Sequence, residues 1–478
     1  MLFNSLSFLI FLPIVFLLYW FIFKKSLKWQ NLFILVSSYV FYGWWSEKFL
    51  VLLAFSTLLD YFYGFGVASP NKKRSKLFLW LGLINNLGVL GIFKYYNFFA
   101  SQFQAGFELI GIHSSPLFLH IVLPVGISFY TFHGMSYVFD IYRGLRKPVK
   151  SFIEYAVFVS FFPLLVAGPI ERANHLLPQV QQKRKFRYTQ AIEGCKLLLW
   201  GMFKKVVIAD SLSGIVDGIF NNYPEHNALS LINAAIAFSF QIYCDFSGYS
   251  DIALGTAKLF GFELLSNFKF PYFSRNIAEF WRRWHISLSS WFRDYLYIPL
   301  GGSREGRLKS VRNIFIIFIV SGFWHGADWH YIVWGFIHAC GFLPLLLLNR
   351  NRQYVSNVVA QQAKRPTFRE LWQMLSTFIF VTLTWIFFRA PTLKDGFNYL
   401  KQIFVDAFRH PGQFALLPDG AAAMFYIIPF VFTDWHFRRN ERDLIIKNPL
   451  WKFLFYTITG TLIFLYFGKK ASFIYFQF

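Results

Sequence analysis

Apolar residues in this chain gather into long runs, and its polar residues collect in the short stretches between them. The runs are Leu6–Phe23, Asn31–Trp45, Phe49–Val67, Leu77–Phe98, Leu117–Val138, Ala191–Ile208, Leu231–Tyr243, Asn313–Trp324, Tyr331–Leu348, Leu371–Phe388, Ala421–Phe432 and Leu450–Phe467. Sequences apolar on all sides predict helices immersed in lipid or in other apolar helices. Two regions break the pattern. The run Phe152–Ile170 has basic segments on both sides and contains Pro163 and Ala167-Gly168-Pro169. It predicts a re-entrant segment, because broken backbone at membrane depth is tolerated only where protein or a water-filled cavity surrounds it; a short crossing span is the alternative. From Gln241 to Gly302, aromatic residues alternate with Arg, Asp and Ser at a density unsuited to a lipid-facing helix. Trp and Tyr favour the membrane interface, and Arg keeps its head there, so interfacial helices are predicted.

Composition narrows the class. A chain of 478 residues, 56% hydrophobic and 22% aromatic, with a mean hydropathy of +0.42, is too apolar for an ordinary soluble domain. It predicts a single all-α polytopic membrane domain over residues 1–478. The formal net charge of +23 suggests nucleic acid at first sight. The basic residues, however, cluster in Lys24–Lys28, Lys72–Lys76, Arg143–Lys150, Lys183–Arg187, Arg304–Arg312, Arg350–Arg369 and Arg438–Lys447, between apolar runs. That is the positive-inside pattern, which assigns these segments to the cytoplasm, puts both chain ends outside and makes the lipid bilayer the partner rather than nucleic acid. No small-residue cleavage site precedes Lys24, so the first run reads as a retained span. Cys195, Cys244 and Cys340 lie far apart in apolar runs, unlike a disulfide framework or a zinc cluster.

Against this background His325 is out of place. Twelve residues, mostly Ile, Phe and Val, separate it from Arg312. As helix they rise roughly 18 Å into an apolar layer about 30 Å thick. An ionisable side chain at that depth marks a functional site by default. His330 and His338 follow at spacings of five and eight, which are not the spacings of helical neighbours, and no His-Glu-x-x-His run occurs, so no metal site is assigned. A core histidine bonded to a carbonyl is the structural alternative for His325.

The run Trp281-Arg-Arg-Trp284-His285-Ile-Ser287-Leu-Ser289-Ser-Trp-Phe-Arg293-Asp294 through Gly302, followed by Ser321-Gly-Phe-Trp324-His325-Gly326, resembles the membrane-bound O-acyltransferases. More narrowly, the chain is similar to their bacterial cell-envelope branch, which serves alginate O-acetylation and D-alanylation of teichoic acid, and its length suits the alginate type. Tyr42-Gly43-Trp44, Pro124–Tyr130 and Ala167–Arg172 extend the likeness over most of the chain. The resemblance implies a ring of about 11 to 12 transmembrane helices, with re-entrant and interfacial helices around a central tunnel, in the bacterial cytoplasmic (inner) membrane. It implies a catalytic region over residues 241–345, with His325 as the signature histidine and His285 as a second one. Asp245, Trp284, Ser287, Ser289, Arg293, Asp294 and Trp324 are the expected donor-site or tunnel-lining residues. Imidazole, with an unperturbed pKa of about 6.5, suits the removal of a hydroxyl proton near neutral pH.

The segment 471–478 ends Phe473-Ile474-Tyr475-Phe476-Gln477-Phe478, nearly all aromatic, where a terminal segment is ordinarily polar and frayed. It predicts insertion into the protein, and it resembles a terminal motif of envelope acylation systems in which the tyrosine is proposed to carry the acyl group. An interfacial aromatic anchor is the alternative. The expected function is therefore O-acyl transfer, above all O-acetyl transfer, from a cytoplasmic thioester, either acetyl-coenzyme A or an acyl-carrier thioester, with no tightly bound cofactor. The acyl group would pass with His325 as base, directly or through Tyr475, to an extracytoplasmic acetyltransferase or acceptor protein. A polysaccharide such as alginate or another exopolysaccharide would be the final acceptor. D-alanyl or other acyl transfer to a different envelope polymer is an alternative. A transporter or flippase is a competing class, since Asp60, Asp140, Asp245 and Asp251 lie in or beside apolar runs; no inverted repeat supports it.

Overall fold

The computed structural model describes residues 1–474 except 114, 356, 410–417, 443, 469, 470 and 472. Tyr475 therefore lies outside the described residues. Every regular element among the described residues is helical. Among the described residues six helices are long and apolar enough to cross a membrane: Leu6–Lys25, Glu47–Val67, Lys72–Leu109, Ala228–Leu259, Trp329–Leu347 and Phe368–Arg389. Several other runs read as spans fold as helices that are shorter or carry more charge, among them Leu27–Gly43 and Arg307–His325.

The chain packs as two compact units, Met1–Leu198 with Ile252–Leu265, and Leu199–Asp251 with Ser266–Phe478. No linker in the sequence announces this division: two of its three boundaries fall inside helices, Tyr188–Met202 and Ala228–Leu259, and the third in the non-helical stretch that follows the second of them.

In the first unit, the run Phe152–Ile170 is broken as its prolines predict. Phe152–Ser160 forms a nine-residue helix and Phe162–Leu165 a single turn; at 1.5 Å per residue the first climbs only about 14 Å. Tyr155 to Ile170 is buried throughout, so protein covers the interrupted backbone. Leu117–Val138, by contrast, is not one span. Residues 115–124 carry no helix, and the helix begins at Ile127. Pro116 and Pro124 cannot donate the required backbone hydrogen bonds. Gly126 then turns at φ +72, where a Cβ would lie 1.9 Å from the carbonyl oxygen of Leu165, so only glycine fits.

Leu231–Tyr243, in the second unit, proves to be part of a 32-residue helix, Ala228–Leu259, which runs on past the unit boundary at Asp251 and is about 48 Å long. The polar run from Cys244 to Asp251 continues this helix instead of ending it, because its acids meet lysines from the neighbouring helical stretch. Nζ of Lys204 lies 2.6 Å from Asp251, and Nζ of Lys205 lies 2.8 Å from Asp245. Both lysines sit in a wide π-helical stretch, Phe203–Ala209. Helices Arg307–His325 and Trp329–Leu347 form an antiparallel hairpin whose backbones nearly touch. A Cβ on Gly322 would stand 2.2 Å from the carbonyl oxygen of Tyr331, and one on Gly335 2.2 Å from that of Phe318. Small residues at such faces let helices approach closely.

Candidate active site

His325 is the last residue of its helix and is buried. The helix is unbroken from Arg307 to His325, so the rise from Arg312 inferred from the sequence applies. Its ring is framed by Trp324 at 4.8 Å, Trp334 at 5.3 Å and Phe388 at 5.3 Å, all near-perpendicular. Edge-to-face packing of this kind fixes an aromatic ring's orientation.

His285 reaches the same neighbourhood by a different device. It joins two seven-residue helices, Ile277–Arg283 and Ile286–Phe292, and stands at φ +42, ψ 53. The left-handed region costs a non-glycine residue on the order of 1–2 kcal/mol, and such strain persists where surrounding structure over-determines it. Here the over-determination is visible. The Lys269 N–H donates to the Arg283 carbonyl at 3.0 Å, and the Ile286 N–H donates to the Asn267 carbonyl at 2.9 Å. The turn is thereby pinned on both sides of His285. The imidazole packs 4.6 Å from Phe246 and 5.8 Å from Trp324. One indole, Trp324, thus touches both histidines.

The other expected residues divide. Trp284 is fully buried and packs against Phe268 at 5.1 Å and Trp385 at 5.0 Å; Trp385 stacks on Trp334, which borders His325. Ser287 donates to Oδ1 of Asn267 at 2.6 Å, reinforcing the pinned turn. Ser289 makes a long bond to the Trp284 carbonyl, 3.4 Å. Arg293 and Asp294 pair with each other at 2.8 Å, and Arg293 is largely exposed. An apolar cavity of about 280 Å³ lies among Phe240, Tyr243, Tyr272, Phe378, Phe430 and Asp434. Tyr243 and Tyr272 pack on Trp284, but none of the expected lining residues borders this cavity.

Asp245 occupies a different setting. Its Oδ1 pairs with Lys205, and its Oδ2 accepts the backbone N–H of Ile474 at 2.7 Å. Phe473 and Ile474 are both buried, and Phe473 packs 4.3 Å from Tyr249 and 6.3 Å from Phe246. The aromatic segment therefore enters the protein as far as it is described, and Phe246 touches both it and His285.

Lys204 and Lys205 were missed as functional candidates, although two adjacent lysines inside the apolar run Ala191–Ile208 were signal enough. The remaining membrane acids also have partners. Asp60 accepts from Asn86 at 2.8 Å, and Asp140 from Asn174 at 3.4 Å. His330 and His338 serve packing. Nδ1 of His330 lies 2.9 Å from the Phe387 carbonyl and so carries the proton. Nδ1 of His338 accepts from the Trp281 indole at 3.3 Å, which leaves Nε2–H to meet Thr384 Oγ1 at 3.0 Å. Among the described residues no three His, Cys, Asp or Glu side chains gather as a metal site.

Residues 145–389 match the model of the MBOAT, membrane-bound O-acyltransferase family. The chain is 40% identical over 399 residues to a probable alginate O-acetylase of Pseudomonas putida, covering 82% of this chain and 78% of that protein. It is 36% identical over 436 residues to a peptidoglycan O-acetyltransferase of Helicobacter pylori, covering 84% and 79%. A teichoic acid D-alanyltransferase of Bacillus subtilis is 30% identical over 224 residues, 45% of this chain and 57% of that one. With buried histidines flanking one indole, helices fit to cross a bilayer and these relatives, the chain belongs to the membrane-bound O-acyltransferase family and is a multi-pass membrane enzyme that transfers acyl groups to hydroxyls.

Proposed function

We propose that the enzyme moves an acetyl group from a cytoplasmic thioester, acetyl-coenzyme A or an acyl-carrier thioester, across the bacterial inner membrane to an extracytoplasmic glycan, with Tyr475 as acyl carrier. In the first step His325 takes the proton of the attacking hydroxyl, oxygen bonds to the thioester carbonyl carbon, and the thiolate leaves and is protonated. If the attacking hydroxyl is the Tyr475 phenol, the product is an aryl ester, itself a competent donor. In the second step an acceptor hydroxyl displaces the phenol, which regains its proton. His285 orients the thioester carbonyl.

One observation carries this reading. Phe473 packs on Phe246, and Phe246 packs on His285, so the segment that bears Tyr475 is anchored two contacts from His285. An interfacial anchor would leave Phe473 and Ile474 exposed to lipid, whereas both are buried. The final acceptor is favoured as an exopolysaccharide, through an extracytoplasmic acetyltransferase, by the relatives named for alginate O-acetylation. Peptidoglycan is the second reading, supported by the Helicobacter relative of similar coverage.

The test uses purified protein in vesicles with a radiolabelled acetyl thioester. Label should be trapped on the protein before any acceptor is added and should disappear in Tyr475→Phe. Glycan labelling at the unmodified rate in Tyr475→Phe would eliminate the carrier. Offering alginate-type chains and peptidoglycan fragments side by side, each with its extracytoplasmic partner, separates the two acceptors.

A further inference from the structure

The buried ammonium of Lys205 stands between two carboxylates, Asp210 at 2.7 Å and Asp245 at 2.8 Å. Its remaining direction is toward the terminal segment, where the Ala471 carbonyl lies 3.3 Å from Nζ. Asp245 completes the arrangement by accepting the Ile474 N–H with its second oxygen. One ion network thus holds two backbone groups three residues apart, an acceptor at 471 and a donor at 474. The three side chains come from the wide turn Phe203–Ala209, the start of Asp210–Asn221 and the helix Ala228–Leu259. π-helical turns of this kind are often found at functional sites.

Energetics argue against a purely stabilising role. Burying an ion pair costs several kcal/mol per ion, and the best-attested return is fixing register, not adding stability. A backbone N–H, that of Ile474, meets the second oxygen of Asp245, while Lys205 takes the first. Backbone groups recur at every residue, so the buried Phe473 ring, 4.3 Å from Tyr249, selects the register and the network locks it. The residue that follows Ile474 is Tyr475.

We propose that Asp210, Lys205 and Asp245 form a backbone clamp that locks the register of segment 471–478, so that residue 475 and no neighbour is offered to the transfer site. The need for register rests on the reading of Tyr475 as carrier; the clamp itself does not. All three are positioning residues, acting through the segment they hold.

The decisive comparison changes only the segment. In full-length protein, Ile474→Pro removes the N–H that Asp245 accepts, whereas Ile474→Ala keeps it. Hydrogen exchange of peptides covering 471–478 reads the hold directly. Transfer kinetics read its consequence. Ile474→Pro should speed exchange across the segment and lower kcat about tenfold or more, the scale of one lost hydrogen bond to a charged group, with KM for the thioester unchanged. Ile474→Ala should lose much less of both. Asp245→Leu should behave like Ile474→Pro, and Asp245→Asn, which retains an accepting oxygen, should recover part of the loss. If Ile474→Pro exchanges and turns over like Ile474→Ala, the clamp is wrong. If Tyr475→Phe transfers normally while Ile474→Pro frees the segment, the carrier reading fails and the clamp stands; the opposite pair of results sinks the clamp and spares the carrier.

Discussion

Two pairs of buried histidines in the second unit are built differently. His330 and His338 have ring nitrogens engaged by the Phe387 carbonyl, the Trp281 indole and the Thr384 hydroxyl. His285 and His325 are framed by the rings of Phe246, Trp324, Trp334 and Phe388, and one indole, Trp324, touches both. Hydrogen bonds to partners on neighbouring helices tie an imidazole into a helix joint, and edge-to-face aromatic packing fixes the plane of a ring. The first pair joins helix to helix; the second shares one indole. Burial alone does not separate them, because all four are buried.

Substitution should separate them. His325→Ala is expected to have the largest effect, a loss of about 10²–10⁴-fold in acyl transfer, the usual contribution of a general base, with a melting temperature near that of the unmodified enzyme. Retained transfer would place His325 with the packing pair. His285→Asn should come next. Asparagine tolerates the left-handed backbone at φ +42, so the turn is kept while the imidazole is lost, and transfer should fall about tenfold or more as carbonyl positioning is lost. Wild-type kinetics in this variant would mean that the strained turn alone matters.

His338→Ala reverses the expectation. The Trp281 N–H loses its acceptor, and the Thr384 hydroxyl, which still donates to the Val381 carbonyl, loses a donor, at a cost of about 1–3 kcal/mol, read as a lower melting temperature, while transfer per folded molecule changes little. A collapse of transfer without loss of stability would erase the distinction between the pairs. Arg293→Ala should do least. Its exposed pair with Asp294 is worth about 0–1 kcal/mol, and both stability and transfer should be near unmodified; a marked rise in KM for the thioester would return Arg293 to the donor site.

Legibility in the sequence followed the range of the interactions. The break in Phe152–Ile170 was visible because prolines act on their own neighbours, and the unsuitability of the Gln241–Gly302 region for lipid was visible in its composition. The continuation of Leu231–Tyr243 through Asp245 and Asp251 was not, since a polar run looks like a helix end until its counter-charges are known. Leu117–Val138 was misjudged in the other direction: apolarity was weighed above Pro116, Pro124 and Gly126. Among the expected site residues, Trp324 joins the histidines, Trp284 and Ser287 support their surroundings, and Arg293 and Asp294 pair near the surface.

By itself, the sequence determined a helical membrane protein, a histidine far along an apolar run from the nearest charge, and a motif set that carries acyl-transfer chemistry. These follow from local apolarity and from residue order, both of which are written along the chain. Only the tertiary structure decided that one indole flanks both histidines, that a left-handed turn delivers His285, and that Asp245 grips the backbone of Ile474, 229 residues away. The physical reason is that hydration preferences add up residue by residue, whereas a buried charge or a strained turn is tolerable only with a particular distant partner, and that partner is chosen by the packing.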